Sequence, residues 1–358
     1  MDDQHPKILV IRRRYVGDLV LTGPVLKNLR AHMPQARITL LVDEKYQDVH
    51  SRSPEINEVI DIPQRRKECV AAYLLRWSGF LMRLRTRRFD VVYDISPNTR
   101  SACLTYFTGA RKRVSFWEED SSHWWHRLYN VHTTWADAER HSIHIVDLYL
   151  KPLLADNVPI VTHSITMTLH PDDVAVARTL IQQVLPVRRG PLVAVHPGAR
   201  QARRCWPPER FAAVCDDIQS RLKGQVLLLS GPGEATTVQA IESAAATGVA
   251  VLDQKLTVPQ LTAILHEADL YLGHDSGPMH LAAAVGTPVV ALFGAQSPGL
   301  WRPYGDGHLV LRPPMPCVDC PFPDVCRPPD PEQTLCVRRL TVDEVISAVE
   351  RQLMPTRA

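Results

Sequence analysis

No run in the 358 residues is apolar for the length of a membrane-crossing helix, and the longest apolar stretches are broken by Gly, Pro or His. The first residues, MDDQHPK, are polar and acidic and lead directly into a strand, so a secretory signal peptide is not expected. Both absences point to a cytoplasmic protein. Charge of one sign is scarce as well. Lys and Arg number 41 and Asp and Glu 38, a net charge of +3 with His neutral, and no nucleic-acid partner is expected. Three phosphate and cofactor signatures are missing. The sequence contains no Walker A motif, no G-x-G-x-x-G and no Asp-x-Asp placed after a strand to hold a divalent cation. These gaps argue against kinases, NTPases and dehydrogenases.

Hydrophobic residues make up 45% of the chain and charged residues 22%, as in a soluble globular protein, and the length suits two domains. Short apolar runs at residues 7–11, 37–42, 59–62 and 89–95 alternate with helical patterns at 19–33, 69–87 and 99–108. That rhythm predicts a doubly wound parallel α/β domain. Residues 116–135 hold four of the seven Trp and read as a variable loop. A second series begins with the strand at 192–196 and continues with strands at 226–229, 249–252, 270–272 and 289–293. We therefore expect an α/β protein of two Rossmann-like domains facing a central cleft. Residues 1–165 would form the first domain and 166–340 the second. Residues 341–358 would be a C-terminal helix and tail, opened by a Thr341–Glu344 capping box.

Charge is uneven along the first domain. Residues 65–88 carry eight Arg or Lys against Glu68 alone. Such a block suits an anionic partner, and it equally suits a solvated helix face. The helix at 69–87 is amphipathic and basic, a pattern that serves for packing on a sheet or for lying on an anionic membrane surface.

The second domain is organised around residues 268–294, ADLYLGHDSGPMHLAAAVGTPVVALFG. This reads as strand, turn, buried helix, tight turn, strand. Asp275 and Ser276 are N-cap residue types, and Gly277-Pro278 suits a first helical turn. A helix N-terminus just past a strand end is a place to hold phosphate. Three further loops should join it: one with His196 and Gly198, one with Arg204, one with Glu234. Together they offer backbone N–H groups, cations and acids for a nucleotide diphosphate held without a metal. In the first domain Asp18 follows the first strand. It is placed either to cap the next helix or to take a proton from an acceptor hydroxyl.

Four segments in order, KILVIRRRYVGDLVLTGPVLKNLR, HPGA with RCWPPERF, SGPGE and DLYLGHDSGPMHLAAAVGTPVVALFGAQSP, resemble glycosyltransferase family nine, the ADP-heptose:lipopolysaccharide heptosyltransferases. The resemblance covers nearly the whole chain. It implies a GT-B fold, with residues 1–165 binding the acceptor and 166–340 the nucleotide-sugar, and metal-independent, inverting transfer from an ADP-sugar to an anionic glycolipid of the lipopolysaccharide inner core. The enzyme would then be peripheral on the cytoplasmic face of the inner membrane. By position, Asp18 matches the family's proposed base. Arg204 stands where a Lys is usual and Ser276 where a Thr is common. Glu234 matches an acid that takes donor hydroxyls, and Asp275, Ser276, Gly277 and His280 match the diphosphate and donor-sugar motif. Arg14, Arg65, Arg66 and Lys67 resemble the acceptor-phosphate region. Other readings of the same sequence are transfer of a different nucleotide-activated sugar, a non-catalytic nucleotide-sugar binder, and a sugar epimerase.

Eight Cys are present, four of them in a Pro-rich stretch. Cys317, Cys320, Cys326 and Cys336 have the close first pair of a structural zinc site but lack a second C-x2-C. Zinc ligation and unligated thiols both fit.

Overall fold

The computed structural model describes residues 5–66, 69–201, 204–294, 296–314 and 336–354, with residues 140 and 141 described by backbone alone. The chain divides into two compact units, Met1–Thr168 and Leu169–Ala358. Each is built on a six-stranded parallel sheet.

In the first unit the strands are β1 (Lys7–Ile11), β2 (Arg37–Asp43), β3 (Glu58–Ile62), β4 (Val91–Asp94), β5 (Lys112–Glu118) and β6 (Val131–Trp135). Their order is β3-β2-β1-β4-β5-β6, every pair parallel. The chain leaves β1 in one direction and returns beside it as β4. The loops after these two strands diverge, which leaves a crevice at the strand C-terminal ends. Leu9, Ile11, Leu41 and Val92 on the sheet pack against Phe80 and Leu84 of helix Val70–Thr86 and Leu104 of helix Thr99–Thr108.

The second unit repeats the plan with β7 (Leu192–His196), β8 (Gln225–Leu229), β9 (Ala250–Leu252), β10 (Leu270–His274), β11 (Val289–Leu292) and β12 (Leu309–Leu311). The order β12-β11-β10-β7-β8-β9, again parallel throughout, puts the reversal between β7 and β10. Val193, Val195, Leu228, Leu272 and Leu292 form the sheet side of its core. Trp206, Phe211 and Ile218 cover them, as do Val345, Ala348 and Val349 of the C-terminal helix Val342–Leu353. That helix carries its capping box, with the Thr341 hydroxyl accepting from Glu344 N–H at 3.2 Å.

Three local differences from the sequence reading have physical causes. The helix expected at 19–33 is two, Val16–Leu21 and Gly23–His32. Pro24 has no N–H for the carbonyl four residues back, and the Thr22 N–H turns to Leu19 O at 3.0 Å. The loop expected at 116–135 contains the end of β5, the short turn Trp124–Leu128 and edge strand β6. In β6, half-buried and exposed residues alternate, so its apolar signal is weak. Strand β12, three residues long, was not expected at all. Among the described residues no helix is long and apolar enough to cross a membrane.

Candidate functional site

At the reversal point of the first sheet, Tyr15 caps helix Val16–Leu21 with φ 62°, the left-handed region where a non-Gly residue is strained by roughly 1–3 kcal/mol. Asp18 lies in this first turn. One of its carboxylate oxygens, Oδ1, is ion-paired with the Arg12 guanidinium and accepts from Tyr149 Oη at 2.9 Å. Arg12 also donates to Ile95 O at 2.9 Å and lies 4.7 Å over the Tyr149 ring, so it bridges the loops after β1 and β4. Burial works against the Arg12 charge, but the neighbouring Tyr149, Asp18 and Asp94 outweigh it and hold the guanidinium protonated. Burial also drives the Tyr149 phenol well above its ordinary range, so it serves as a hydrogen-bond donor. The other Asp18 oxygen, Oδ2, makes no hydrogen bond among the described residues. It is the atom left to accept a proton.

Behind this pair, Asp94 is fully buried and accepts from Tyr129 Oη at 2.6 Å and Ser96 N–H at 3.0 Å. Desolvation raises its pKa despite those bonds and the nearby Arg12. At the end of β2, buried Asp43 gathers two arginines, Arg13 Nε at 3.1 Å and Arg14 Nε at 2.9 Å. Arg66 pairs with Glu44, and Arg65 is exposed. The Arg100 guanidinium sits 4.9 Å over the Trp77 ring, its pKa lowered by burial and by the charges of Arg13 and Arg14. The arrangement concentrates cations around few acids. Lys67 lies outside the described residues.

At the reversal point of the second sheet, β7 ends in His196 and β10 in His274. His196 Nε2 lies 3.0 Å from Glu234 Oε2, and the same carboxylate accepts from Gly231 N–H at 2.7 Å. Burial would raise the Glu234 pKa, but His196 and the Gly231 N–H prevail and hold it below the usual carboxylate range. The carboxylate fills the space left by two glycines. A Cβ on Gly198 would run into it, and one on Gly231 would lie 2.6 Å from Oε2. Fully buried His274 accepts the Trp206 N–H at 2.8 Å through Nε2, and burial pushes its pKa down to about 3. Gly273 lets this strand approach β7, since a Cβ there would sit 2.7 Å from His196 O.

Ser276 caps helix Gly277–Ala284, and its hydroxyl makes no side-chain cap bond. That oxygen is 3.5 Å from Tyr271 Oη. Asp275 lies just before the cap, with Arg204 Nη1 at 3.4 Å and buried His280 Nε2 at 4.0 Å. His196, Gly198, Glu234, Arg204, Asp275, Ser276, Gly277 and His280 therefore belong to a strand end, loops and a helix start at one end of one sheet. The combination of cation, helix N-terminus and buried acid is suited to an anion with hydroxyl groups attached.

Sequence reasoning missed Arg12 and Tyr149 as partners of Asp18, and His274 as the anchor of the Trp206 loop. Tyr149 is 131 residues from Asp18, and no local pattern signals such a contact. Of the cysteine cluster, Cys317, Cys320 and Cys326 lie outside the described residues, while Cys336 opens the turn Cys336–Arg339. Ala202 and Arg203 lie outside them too. Among the described residues no three His, Cys, Asp or Glu come together as a metal site.

Residues 77–323 match the family model of Glycosyltransferase family 9 (heptosyltransferase). Lipopolysaccharide heptosyltransferase 3 of Escherichia coli strain K12 is 31% identical over 297 residues, which is 81% of this chain and 83% of that protein. The crystal structure of the glycosyl transferase family 9 from Veillonella parvula superposes with a TM-score of 0.81 at 24% identity, covering 99% of each chain. The ADP-heptose lps heptosyltransferase II of Escherichia coli gives 0.77 at 21% identity, over 98% of this chain and 100% of that one.

Proposed function

This chain belongs to glycosyltransferase family 9, and on that premise we propose that it transfers a heptose from an ADP-activated donor to an anionic sugar of the lipopolysaccharide inner core. It is a glycosyltransferase with two Rossmann-like units of the GT-B type. The similar Escherichia coli protein is named a lipopolysaccharide heptosyltransferase, and another with the same fold is named for ADP-heptose. The observation that carries the donor half is the gathering of the His196–Glu234 pair, the Arg204–Asp275 pair and the start of helix Gly277–Ala284 at one sheet reversal.

In this reading residues 166–340 hold the donor. Arg204 and the N–H groups at the helix start offset the negative charge that grows on the departing ADP. Ser276 and Gly277 face the diphosphate, and Glu234, Asp275 and His280 take hydroxyl groups of the ribose and the sugar. His196 holds the Glu234 carboxylate, and Gly198 leaves the room it occupies. Residues 1–165 bind the acceptor, with Arg14, Arg65, Arg66 and Lys67 as the cations for its phosphate or carboxylate groups. Asp18 Oδ2 takes the proton of the acceptor hydroxyl. That oxygen attacks the anomeric carbon from the face opposite ADP, the bond from carbon to phosphate oxygen breaks, and ADP leaves. One displacement inverts the anomeric centre, by the same logic that gives one-step hydrolases inversion. The ion pair with Arg12 and the bond from Tyr149 fix the carboxylate while leaving Oδ2 open. No divalent cation is required in this scheme, because Arg204 and the helix start supply the positive charge. The acceptor would be met at the cytoplasmic face of the inner membrane.

Calorimetry with ADP, UDP, GDP and their sugars tests the donor assignment. ADP and ADP-heptose should bind at least about tenfold more tightly than the uridine and guanosine pairs. Preference for UDP would overturn it. Donor turnover without any acceptor would favour an epimerase instead.

A further inference from the structure

Helix Val70–Thr86 turns Phe80 and Leu84 inward, onto the first sheet. Its opposite side is not polar. Val70 is 63% exposed, Leu74 59%, Leu75 74% and Met82 62%. Ala71, Ser78 and Gly79 are exposed as well. Positions 71, 74, 75, 78, 79 and 82 recur at intervals of three and four, one continuous stripe of a helix. An interior helix would bury such a stripe, and a solvated one would carry charge there. Helix Thr99–Thr108 lies alongside, with Arg100 over the Trp77 ring and the Arg85 guanidinium against Gly109. It adds exposed Tyr106 and Phe107. Four of the large apolar side chains exposed on the described residues thus belong to one helix, and two more to its neighbour.

The helix and its last turn carry charge of one sign, and of their arginines Arg87 is paired with Glu58 of β3. Between residues 69 and 89 the sequence holds Arg76, Arg83, Arg85, Arg87 and Arg88 and no Asp or Glu. Arg83, Arg85 and Arg88 are exposed. An apolar stripe rimmed by arginines matches a bilayer interface, where leucine and methionine enter the headgroup boundary and arginines meet anionic lipid phosphates. A tyrosine at the margin suits the same depth. A protein partner would need acids opposite Arg83, Arg85 and Arg88, whereas an anionic membrane supplies negative charge continuously.

We propose that the outer face of helix Val70–Thr86, with Tyr106 and Phe107 beside it, docks the enzyme on an anionic lipid bilayer. This rests on the glycolipid acceptor proposed above, because docking brings the chain to the surface where such an acceptor is anchored. The docking residues are separate from Asp18 and from the arginines assigned to the acceptor.

The test is flotation of the full-length protein with vesicles of phosphatidylcholine alone and of phosphatidylcholine mixed with phosphatidylglycerol. The wild type should float with the mixed vesicles, not with the neutral ones, and high salt should release it. The triple variant Leu74→Ser/Leu75→Ser/Met82→Ser should bind at least about tenfold more weakly. Arg83→Gln should weaken binding severalfold and reduce the salt dependence. All substituted side chains are exposed, so unchanged thermal unfolding should accompany the loss. Transfer to a soluble, lipid-free acceptor fragment should be the same in wild type and triple variant. Absence of that transfer from the wild type would count against the acceptor reading, and leave the flotation result to decide the docking face on its own. Equal flotation of wild type and triple variant would overturn the proposal. So would a lipid-independent dimer abolished by the same substitutions, which would make the face a contact between copies.

Discussion

Asp18 surrenders one carboxylate oxygen to Arg12 and Tyr149 and keeps the other open, an arrangement in line with the base proposed above. The sequence alone left the roles of helix cap and base open and showed neither contact, because Tyr149 lies in a helix 131 residues further on. The same limit applies to Glu234. Its acidity and its place after β8 were legible, but not the glycine cradle that positions it. That cradle gives a sharp prediction. Gly198→Ala would place a methyl group where the Glu234 carboxylate now sits. A glutamate end can swing away, so the fold should survive, with a modest fall in unfolding midpoint from the lost His196 and Gly231 contacts. The His196 contact would be lost, and ADP-sugar affinity measured by calorimetry should fall about tenfold or more. Unaltered affinity would mean that the Glu234 position does not matter to the donor.

Strands buried on both faces were readable as short apolar runs, and nine of the twelve strands announced themselves in that way. Of the three that did not, β5 opens on Lys112 and Arg113, and the other two are at sheet edges. β6 alternates with polar residues and sits among tryptophans, and β12 is three residues long after a Gly-rich turn. The connection between β10 and the Trp206 loop was equally silent. It depends on His274 being neutral, because Nε2 must accept the Trp206 N–H. Unfolded, this imidazole has an ordinary pKa near 6.5, and folded it is pushed down to about 3. The unfolded chain therefore takes up the proton first as pH falls. The stability from this group is complete above about pH 6.5 and declines toward pH 3, by about 1.4 kcal/mol for each pH unit in that window. Glu234, held below its usual range, acts in the same direction at lower pH. Urea unfolding of the wild type at pH 7 and pH 5 should show the loss, and His274→Gln, which cannot take the proton, should show a shallower dependence. Identical slopes in the two proteins would remove His274 as the cause.

At the scale of the whole molecule, two parallel α/β units followed from the alternation of apolar runs and helical patterns, while the strand orders that set the reversal points came from the structure. What did not follow is the pairing of functions, one unit with a carboxylate and cations, the other with an anion site. That came from a resemblance carried by four short segments, and the match over residues 77–323 establishes the family. The roles of the individual residues stand as proposals, and the central one is that Asp18 is the base. Its measurement is the rate of ADP release from ADP-heptose in the presence of an inner-core acceptor, for wild type and Asp18→Asn, with the ADP dissociation constant of each measured in parallel. If Asp18 is the base, kcat falls about a thousandfold with ADP affinity within about twofold of wild type. A variant that transfers heptose at the wild-type rate would contradict that role.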